Sequence, residues 1–95
     1  MSHPLKKIVL IHWRDANTRG GWGSQREYNE HDVAPVLTVG FLLKETAESI
    51  TVVTSQGADF SDCNQAISIP KEWCQKIVKL PLSSAASKLL VSKSA

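Results

Sequence analysis

The chain contains few of the residues that mark zinc, redox or nucleic-acid-binding proteins. Its two cysteines, Cys63 and Cys74, lie eleven positions apart and belong to no CxxC motif or matching His pair, so neither a zinc site nor a redox motif is indicated. We expect two free thiols, as in a reducing cytoplasm. The 11 Lys and Arg residues against 9 Asp and Glu give a net charge of +2. This balance argues against the strongly basic surface that binds long nucleic acids non-specifically.

Long hydrophobic runs are also missing. Near the N-terminus, Lys6 and Lys7 precede an apolar run of only four residues, Ile8 to Ile11, which ends at the polar His12. A signal peptide needs a longer apolar core with a small-residue cleavage site, and no segment approaches membrane-spanning length. We therefore expect a soluble cytoplasmic protein with no membrane partner. The four apolar residues instead predict a strand that is covered on both faces.

Familiar catalytic motifs do not occur in the sequence. The stretch GGWGS, Gly20 to Ser24, lacks the Gly-Lys-Ser/Thr ending of a Walker loop, and no G-x-S-x-G nucleophile elbow is found. His12 or His31 could serve a small hydrolase together with Cys74 or a carboxylate, but no spacing requires these groups to meet. The same holds for a metal site made of His12, His31 and Cys63. We therefore expect a protein that is not an enzyme and has no metal or cofactor.

The clearest ordering signal is the stretch from Val36 to Ser55, VLTVGFLLKETAESITVVTS. Its β-branched and large apolar residues predict the two strands of a half-buried hairpin, joined by a polar turn over Glu45 to Glu48. A helix over Phe41 to Ser49 is the alternative, because Leu, Lys, Glu and Ala favour one. We prefer the hairpin, since β-rich sequence runs up to this stretch and resumes directly after it. Gly40, inside the first strand, predicts a bulge or sharp bend.

Three further strands and one short helix are predicted around this hairpin. The strands are expected over Lys6 to Trp13, Ala66 to Ile69 and Lys76 to Leu80, with a loop over Gly57 to Asn64, a helical turn over Lys71 to Gln75 and a helix from about Gln25 to Asn29. Trp73 in the helical turn is expected to close the core. Five short strands and a bending glycine predict an all-β fold, a small five-stranded barrel of the SH3-like type with one short helix. The 95 residues then form one domain over residues 1–81 and a flexible tail over residues 82–95.

Two parts of the sequence resemble the signature of Sm-like proteins, including the bacterial Hfq branch. They are the hairpin centred on Gly40 and the later strand from Gln65 to Ser68, and the resemblance covers roughly Val36 to Leu80. It implies an Sm-like barrel that assembles into rings through edge-strand pairing, and therefore a homo-oligomer. The Asp and Asn residues of the first Sm motif and the basic-Gly-Asn turn of the second do not occur here, so the RNA-contacting residues of the family are not carried over.

A second resemblance, to small bacteriophage proteins of undefined function, spans most of the chain. It rests on four short motifs, which are Trp13-x-Asp15, Gly21-Trp22, the run from Thr38 to Leu42, and Ile69-Pro70-Lys71. The resemblance implies a protein that acts in the host cell cytoplasm, where sequestering a host defence signal is one expected role.

The residues with the richest binding chemistry lie between Trp13 and Tyr28. All three arginines of the protein, two of its three tryptophans and its only tyrosine are found there. Glycines that turn backbone N–H groups inward, followed by a helix N-terminus, are typical of a phosphate site. Aromatic rings stack on bases, and the planar Arg side chain binds phosphate oxygens. The predicted ligand-binding residues are Trp13, Arg14, Arg19, Gly21, Trp22, Ser24, Arg26 and Tyr28.

A purely structural interpretation of the same segment stays open. In it the glycines form a turn, Trp22 covers the open end of the barrel, and the arginines are solvated or paired with Asp15, Glu27, Glu30 or Asp32. We predict a non-enzymatic, oligomeric Sm-like protein that binds a nucleotide-type ligand, either RNA or a small nucleotide signal. The alternatives are a protein-interaction module of bacteriophage origin, which docks through a barrel face or edge, and the small hydrolase.

Overall fold

The structure, a computed structural model, describes residues 5–57 and 61–82. Within these ranges the chain forms five strands, one short helix and one 3-10 turn. In chain order the elements are β1 (Lys7–Asp15), α1 (Gln25–Tyr28), β2 (Ala34–Glu45), β3 (Ser49–Gln56), β4 (Cys63–Pro70), the 3-10 turn (Lys71–Trp73) and β5 (Cys74–Pro81). The all-β prediction is confirmed, and each of the five predicted strands has a counterpart.

The strands are longer than the sequence pattern predicted. β4 begins at Cys63, inside the stretch predicted to be a loop, because its polar first residues continue the ladder with β3: Cys63 pairs with Gln56, and Asn64 pairs with Ser55. The predicted helical turn after Pro70 is a 3-10 turn of three residues, and β5 starts directly after it. Pairing with β3 thus overrides the low β-propensity of Asn64.

The five strands form a single antiparallel sheet in the order β4-β3-β2-β1-β5. Its two edges in the described residues are β4 and β5, so the sheet is open. In a flat sheet of five strands these edges would lie about 19 Å apart, since neighbouring strands are about 4.8 Å apart. Here the three residues of the 3-10 turn join them, and such a turn rises only about 2 Å per residue. The sheet is therefore strongly curled at this end.

The core lies on one face of this curled sheet. Alternate residues of β1 point into it, namely Val9, Ile11 and Trp13, and all three are buried. They pack with buried residues of β3 and β4 and with partly buried neighbours, which are Ile50, Val52, Ile69, Val36, Leu42, Cys74 and Ile77. We call this side of the sheet the inner face.

The hairpin of β2 and β3 is confirmed, but no bulge lies at Gly40. The irregularity in pairing lies between Leu42 and Lys44, not at the glycine. Gly40 is buried beside the neighbouring strand β3, and a Cβ atom there would lie 2.9 Å from the carbonyl oxygen of Val53 and 3.1 Å from the side chain of Val52. Glycine is required at position 40 because the two backbones approach too closely for a side chain.

We expect Gly40→Ala to destabilise the fold by about 1–3 kcal/mol, because the new methyl group would overlap backbone that cannot move away easily. Thermal unfolding would show this as a drop in Tm of roughly 4–8 °C per kcal/mol. Gly20→Ala is the matched control, since a Cβ atom at position 20 meets nothing within 4 Å. Equal Tm values for the two variants would contradict the close approach of β3 to β2.

Glu45, the last residue of β2, ties the hairpin to the opposite edge of the sheet. Its carboxylate lies 2.8 Å from Nζ of Lys71 in the 3-10 turn and 2.6 Å from Nζ of Lys79 in β5. Hydrogen bonds from Lys71 and Lys79 lower the pKa of Glu45 from 4.5 to about 2. The side chain of Glu45 keeps 24% of its surface exposed, so we assign each pair the roughly 0.2–1 kcal/mol of a solvent-screened surface ion pair. The pair with Lys79 connects β2 and β5, which are not neighbours in the sheet, and the pair with Lys71 connects β2 to the 3-10 turn.

We expect Glu45→Gln to destabilise the protein at pH 7 and to have no effect near pH 2. Because the folded-state pKa is depressed, the stabilisation is present above about pH 4.5 and is lost as the pH falls toward 2. Urea unfolding should give a difference from wild type of about 0.4–2 kcal/mol at pH 7 that shrinks over this range.

The control for this measurement is a double-mutant cycle. In a background of Lys71→Gln and Lys79→Gln, replacing Glu45 should no longer produce a pH-dependent difference. A pH dependence that persisted in this background would show that the two lysines are not its cause.

The described part of the chain ends beside the start of β1, where the amide of Leu82 donates to the carbonyl oxygen of Lys6 at 2.8 Å. The rest of the predicted tail, residues 83–95, lies outside the described residues. Across residues 5–57 and 61–82, no helix has the length and apolar character needed to cross a membrane.

Candidate functional site

The helix predicted after the glycines is present, and it begins at Gln25 as predicted. Ser24 is the N-cap of α1, and its Oγ accepts a hydrogen bond from the amide of Glu27 at 3.1 Å. The helix ends at Tyr28 after only four residues. Since the dipole of a helix is the sum of its aligned peptide units, so short a helix adds little positive potential for an anion. Ser24 is thus a capping residue, which weakens its assignment to a phosphate site.

Three of the predicted ligand-binding residues contact one another beside α1. The guanidinium of Arg19 lies 4.3 Å from the ring centre of Tyr28 and 3.3 Å from Oε2 of Glu27. The hydroxyl of Tyr28 donates to the carbonyl oxygen of Gly21, whose φ of +85° lies in the left-handed region that favours glycine. The contacts of Arg19, Gly21 and Tyr28 are therefore those that the purely structural interpretation expected, a glycine turn and a paired arginine.

Trp13 belongs to the core. Its exposed fraction is 6%, its Nε1 donates to Oγ1 of Thr38 at 2.9 Å, and its ring stacks on Trp73 with 6.3 Å between ring centres. A base could reach the Trp13 ring only by displacing Trp73. This corrects the assignment of Trp13 to a stacking site, and it shows that Trp73 covers the core through this contact with Trp13.

Trp22, Arg14 and Arg26 remain available to a ligand. Trp22 is fully exposed, so it does not cover an end of the sheet as the structural interpretation expected. The side chains of Arg14 and Arg26 are exposed, and neither has a hydrogen bond or ion pair with a residue that the structure describes. Two of the three arginines are thus free to bind an anion.

A cleft of about 550 Å³ lies where the end of β1, the start of β2 and the 3-10 turn meet. Its lining residues are Arg14, Asp15, Ala16, Asp32, Val33, Glu72, Trp73 and Gln75. We call it the Trp73 cleft. It joins Arg14, from the predicted site, to residues after Pro70 that no sequence motif assigned to a site. Trp22 and Arg26 do not line it.

The lining of the Trp73 cleft combines an aromatic surface, one cation and three carboxylates. Trp73 is 43% exposed although it stacks on Trp13, so part of its indole surface is open to a ligand. Asp15 and Asp32 each use Oδ1 to accept the amide of the following residue, at 2.8 and 2.7 Å. Their other oxygens have no such partner among the described residues, so they can accept hydrogen bonds from a ligand. The arrangement suits a planar ligand that carries hydrogen-bond donors and one negative group.

Glu72, Trp73 and Gln75 were not predicted as site residues. They follow Pro70 in a stretch that indicates only a turn and a strand start. What brings them to Arg14 is the pairing of β1 with β5, in which Trp13 is opposite Cys74. No local signal could have found this neighbourhood, because it depends on the register of two strands that are distant in sequence.

Among the described residues, the histidines and cysteines form no metal-binding group, and His12 is separated from Cys74. His12 and Cys74 lie on opposite faces of the sheet, since Trp13 and Cys74 face the core and His12 alternates with Trp13. Burial raises the pKa of the Cys74 thiol and so disfavours the reactive thiolate. His31 bonds through Nε2 to the carbonyl oxygen of Asn17 at 3.1 Å. In the part of the chain that is described, no three His, Cys, Asp or Glu residues are grouped to hold a metal ion.

No protein-family model, curated protein or solved structure matches this chain. The resemblances to Sm-like proteins and to small bacteriophage proteins therefore stay predictions from the sequence, and the function has to be inferred from the geometry of the site.

Proposed function

We propose that this protein is a non-enzymatic binding protein for a nucleotide-type ligand, either an RNA end or a small nucleotide, which it holds in the Trp73 cleft. The observation that carries the proposal is the meeting of Arg14 and the exposed part of Trp73 in one cleft of about 550 Å³. That volume is within the range of small-molecule sites, which are about 300–1,000 Å³.

Each part of a nucleotide has a counterpart in the cleft. A base stacked on Trp73 gains about 1–3 kcal/mol, whichever base it is. Asp15, Asp32 and Glu72 can accept hydrogen bonds from ribose hydroxyls and from the amino groups of a base. Arg14 supplies a planar donor pair for one phosphate.

The charge of the cleft limits the ligand further. With one arginine against three carboxylates, the cleft repels a chain of phosphates placed deep inside it. The proposed ligand therefore enters base and ribose first, and its phosphate stays at the Arg14 side. Further phosphates of a longer ligand would lie outside the cleft, in solvent.

We also propose that the curled sheet closes into an Sm-like barrel and that copies associate through their strand edges. The strand order β4-β3-β2-β1-β5 and the three-residue connection between the edges support closure. An edge strand presents unpaired backbone N–H and C=O groups that another chain can pair with, and β4 offers eight residues of such an edge. If a bacteriophage encodes the chain, tight binding without turnover would let it sequester a host defence signal.

Native mass spectrometry of the purified protein tests the ligand and the assembly together. We expect masses of an oligomer that carries a nucleotide, or that takes up added AMP, GMP or a short RNA. A monomer that binds none of these probes at millimolar concentration would sink the proposal.

Titration of variants with the nucleotide found, followed by tryptophan fluorescence, tests the location of the site. Trp73→Ala should weaken binding by roughly 5- to 150-fold, the loss of one base stack. Because this change also removes the contact with Trp13, Arg14→Gln provides a second variant on an exposed side chain. Arg26→Gln is the matched control, since Arg26 does not line the cleft. If Arg26→Gln and Trp22→Ala weaken binding while Arg14→Gln does not, the ligand lies at the loop tip and not in the cleft.

A further inference from the structure

A second surface with binding character lies on the opposite side of the sheet from the core. Residues of β1, β2 and β5 that alternate with the core residues point outward there. We call this side, over these three strands, the outer face. Its apolar side chains are Ile8, Leu10, Leu37, Val39, Phe41, Val78 and Leu80.

The register of the strands makes these side chains contiguous. One row across β5, β1 and β2 consists of Leu80, Ile8 and Phe41. The next row consists of Val78, Leu10 and Val39. Leu37 follows at 65% exposure, beside Val39 at 54%. Large contiguous apolar surfaces are rare on monomers and mark interaction sites. The continuous apolar run of β1 predicted a strand covered on both faces, whereas Ile8 and Leu10 on the outer face are only half-buried.

A basic row borders the apolar rows of the outer face. Lys76 is opposite His12 in the pairing of β5 with β1, and Arg14 follows His12 on the same side of β1. The outer face is thus apolar at one end and cationic at the other. No carboxylate lies in these rows.

A second copy of the chain fits this face poorly. In a two-fold contact between two such faces, an axis along the strands reverses the strand order and places Lys76 on Leu37 of the partner, where the charge loses water without a counter-ion. An axis across the strands places Lys76 on Leu80 and Ile8 of the partner, where a charge loses water without a counter-ion. Either arrangement is costly, so the face selects a different partner.

The outer face has the dimensions of one helix. The axes of β5 and β2 lie about 10 Å apart across β1, close to the 10–12 Å diameter of a helix with its side chains. From Leu37 to Phe41 the strand rises about 14 Å, which corresponds to roughly nine helical residues. The exposed apolar side chains of this face, which are Leu37, Val39, Val78 and Leu80, are all aliphatic and offer little surface for stacking on bases.

We propose that the outer face docks an amphipathic helix of another protein, with an apolar stripe over Leu37, Val39 and Val78 and acidic residues beside Lys76. The acidic residues complement the basic row, and the apolar stripe removes the exposed aliphatic side chains from water. Arg14 borders both surfaces, but Leu37, Val39, Val78 and Lys76 do not line the Trp73 cleft. The docking proposal rests on these four residues and so stands independently of the proposed function.

A synthetic helical peptide, labelled with fluorescein, tests the proposal by anisotropy on the full chain. The probe carries Leu at positions i, i+3, i+4 and i+7 and Glu on its polar side, and a matched probe carries Lys in place of Glu. We expect the Glu probe to bind more tightly than the Lys probe, and binding of the Glu probe to fall about tenfold in Leu37→Ser and Val39→Ser. Both side chains are more than half exposed, so these changes leave the core intact. Trp22→Ala, at an exposed tryptophan elsewhere, should have no effect.

The preference of the protein for the Glu probe over the Lys probe tests the proposal more specifically than the loss of binding does. Lys76→Glu should weaken the Glu probe and strengthen the Lys probe, a gain that loss of folding cannot produce. Equal binding of the two probes, no binding of either, or binding unaffected by Leu37→Ser would overturn the proposal.

Other occupants of the face are distinguished by the same variants. A dimer in sedimentation that Leu37→Ser dissociates would identify a second copy instead. Binding to vesicles of phosphatidylcholine and phosphatidylglycerol that Leu37→Ser abolishes would identify a lipid surface. Binding of a labelled RNA oligonucleotide that Lys76→Glu abolishes, while Leu37→Ser does not affect it, would identify RNA. Each of these three results overturns the protein helix as the occupant.

Discussion

The stack of Trp73 on Trp13 connects the core of this protein to its surface. Trp13 is fixed in the core by its neighbours and by its hydrogen bond to Thr38. Because Trp73 packs on this fixed ring, its exposed part is held beside Arg14 as a wall of the cleft. A binding surface supported in this way is organised before a ligand arrives, which reduces the entropy lost on binding. The cleft therefore depends on a core residue that does not line it.

The long connection between β1 and β2 divides into two parts with different roles. Around α1 its polar groups bond to one another, as Arg19 does with Glu27 and Tyr28. Its ends, at Asp15 and Asp32, border the cleft. A connection ordered by its own contacts can hold its ends in place without being part of the core, which is how loops on a rigid sheet come to carry binding residues.

Features that depend on a few adjacent residues could be predicted. The hairpin, the helix that begins at Gln25 and the end of β4 at Pro70 follow from local propensity and hydrogen bonding. The role of Gly40 was predicted only in part. A glycine in a strand indicates a special backbone position, but it does not show whether a bend or the close approach of a neighbouring strand requires the glycine. The cleft was not predicted: Trp73 and Arg14 are far apart in sequence, and only the pairing of β1 with β5 makes them neighbours.

The sequence by itself determined the strands, their order along the chain and the short capped helix, because these arise from side-chain periodicity and backbone bonding within a few residues. Tertiary structure alone decided which face of β1 is buried, since its run from Ile8 to Ile11 is apolar on both sides. Curling of the sheet places Val9 and Ile11 in the core and leaves Ile8 and Leu10 on the outer face. The physical reason is that a curled sheet encloses only its concave side, so Ile8 and Leu10 on the other side stay half-buried.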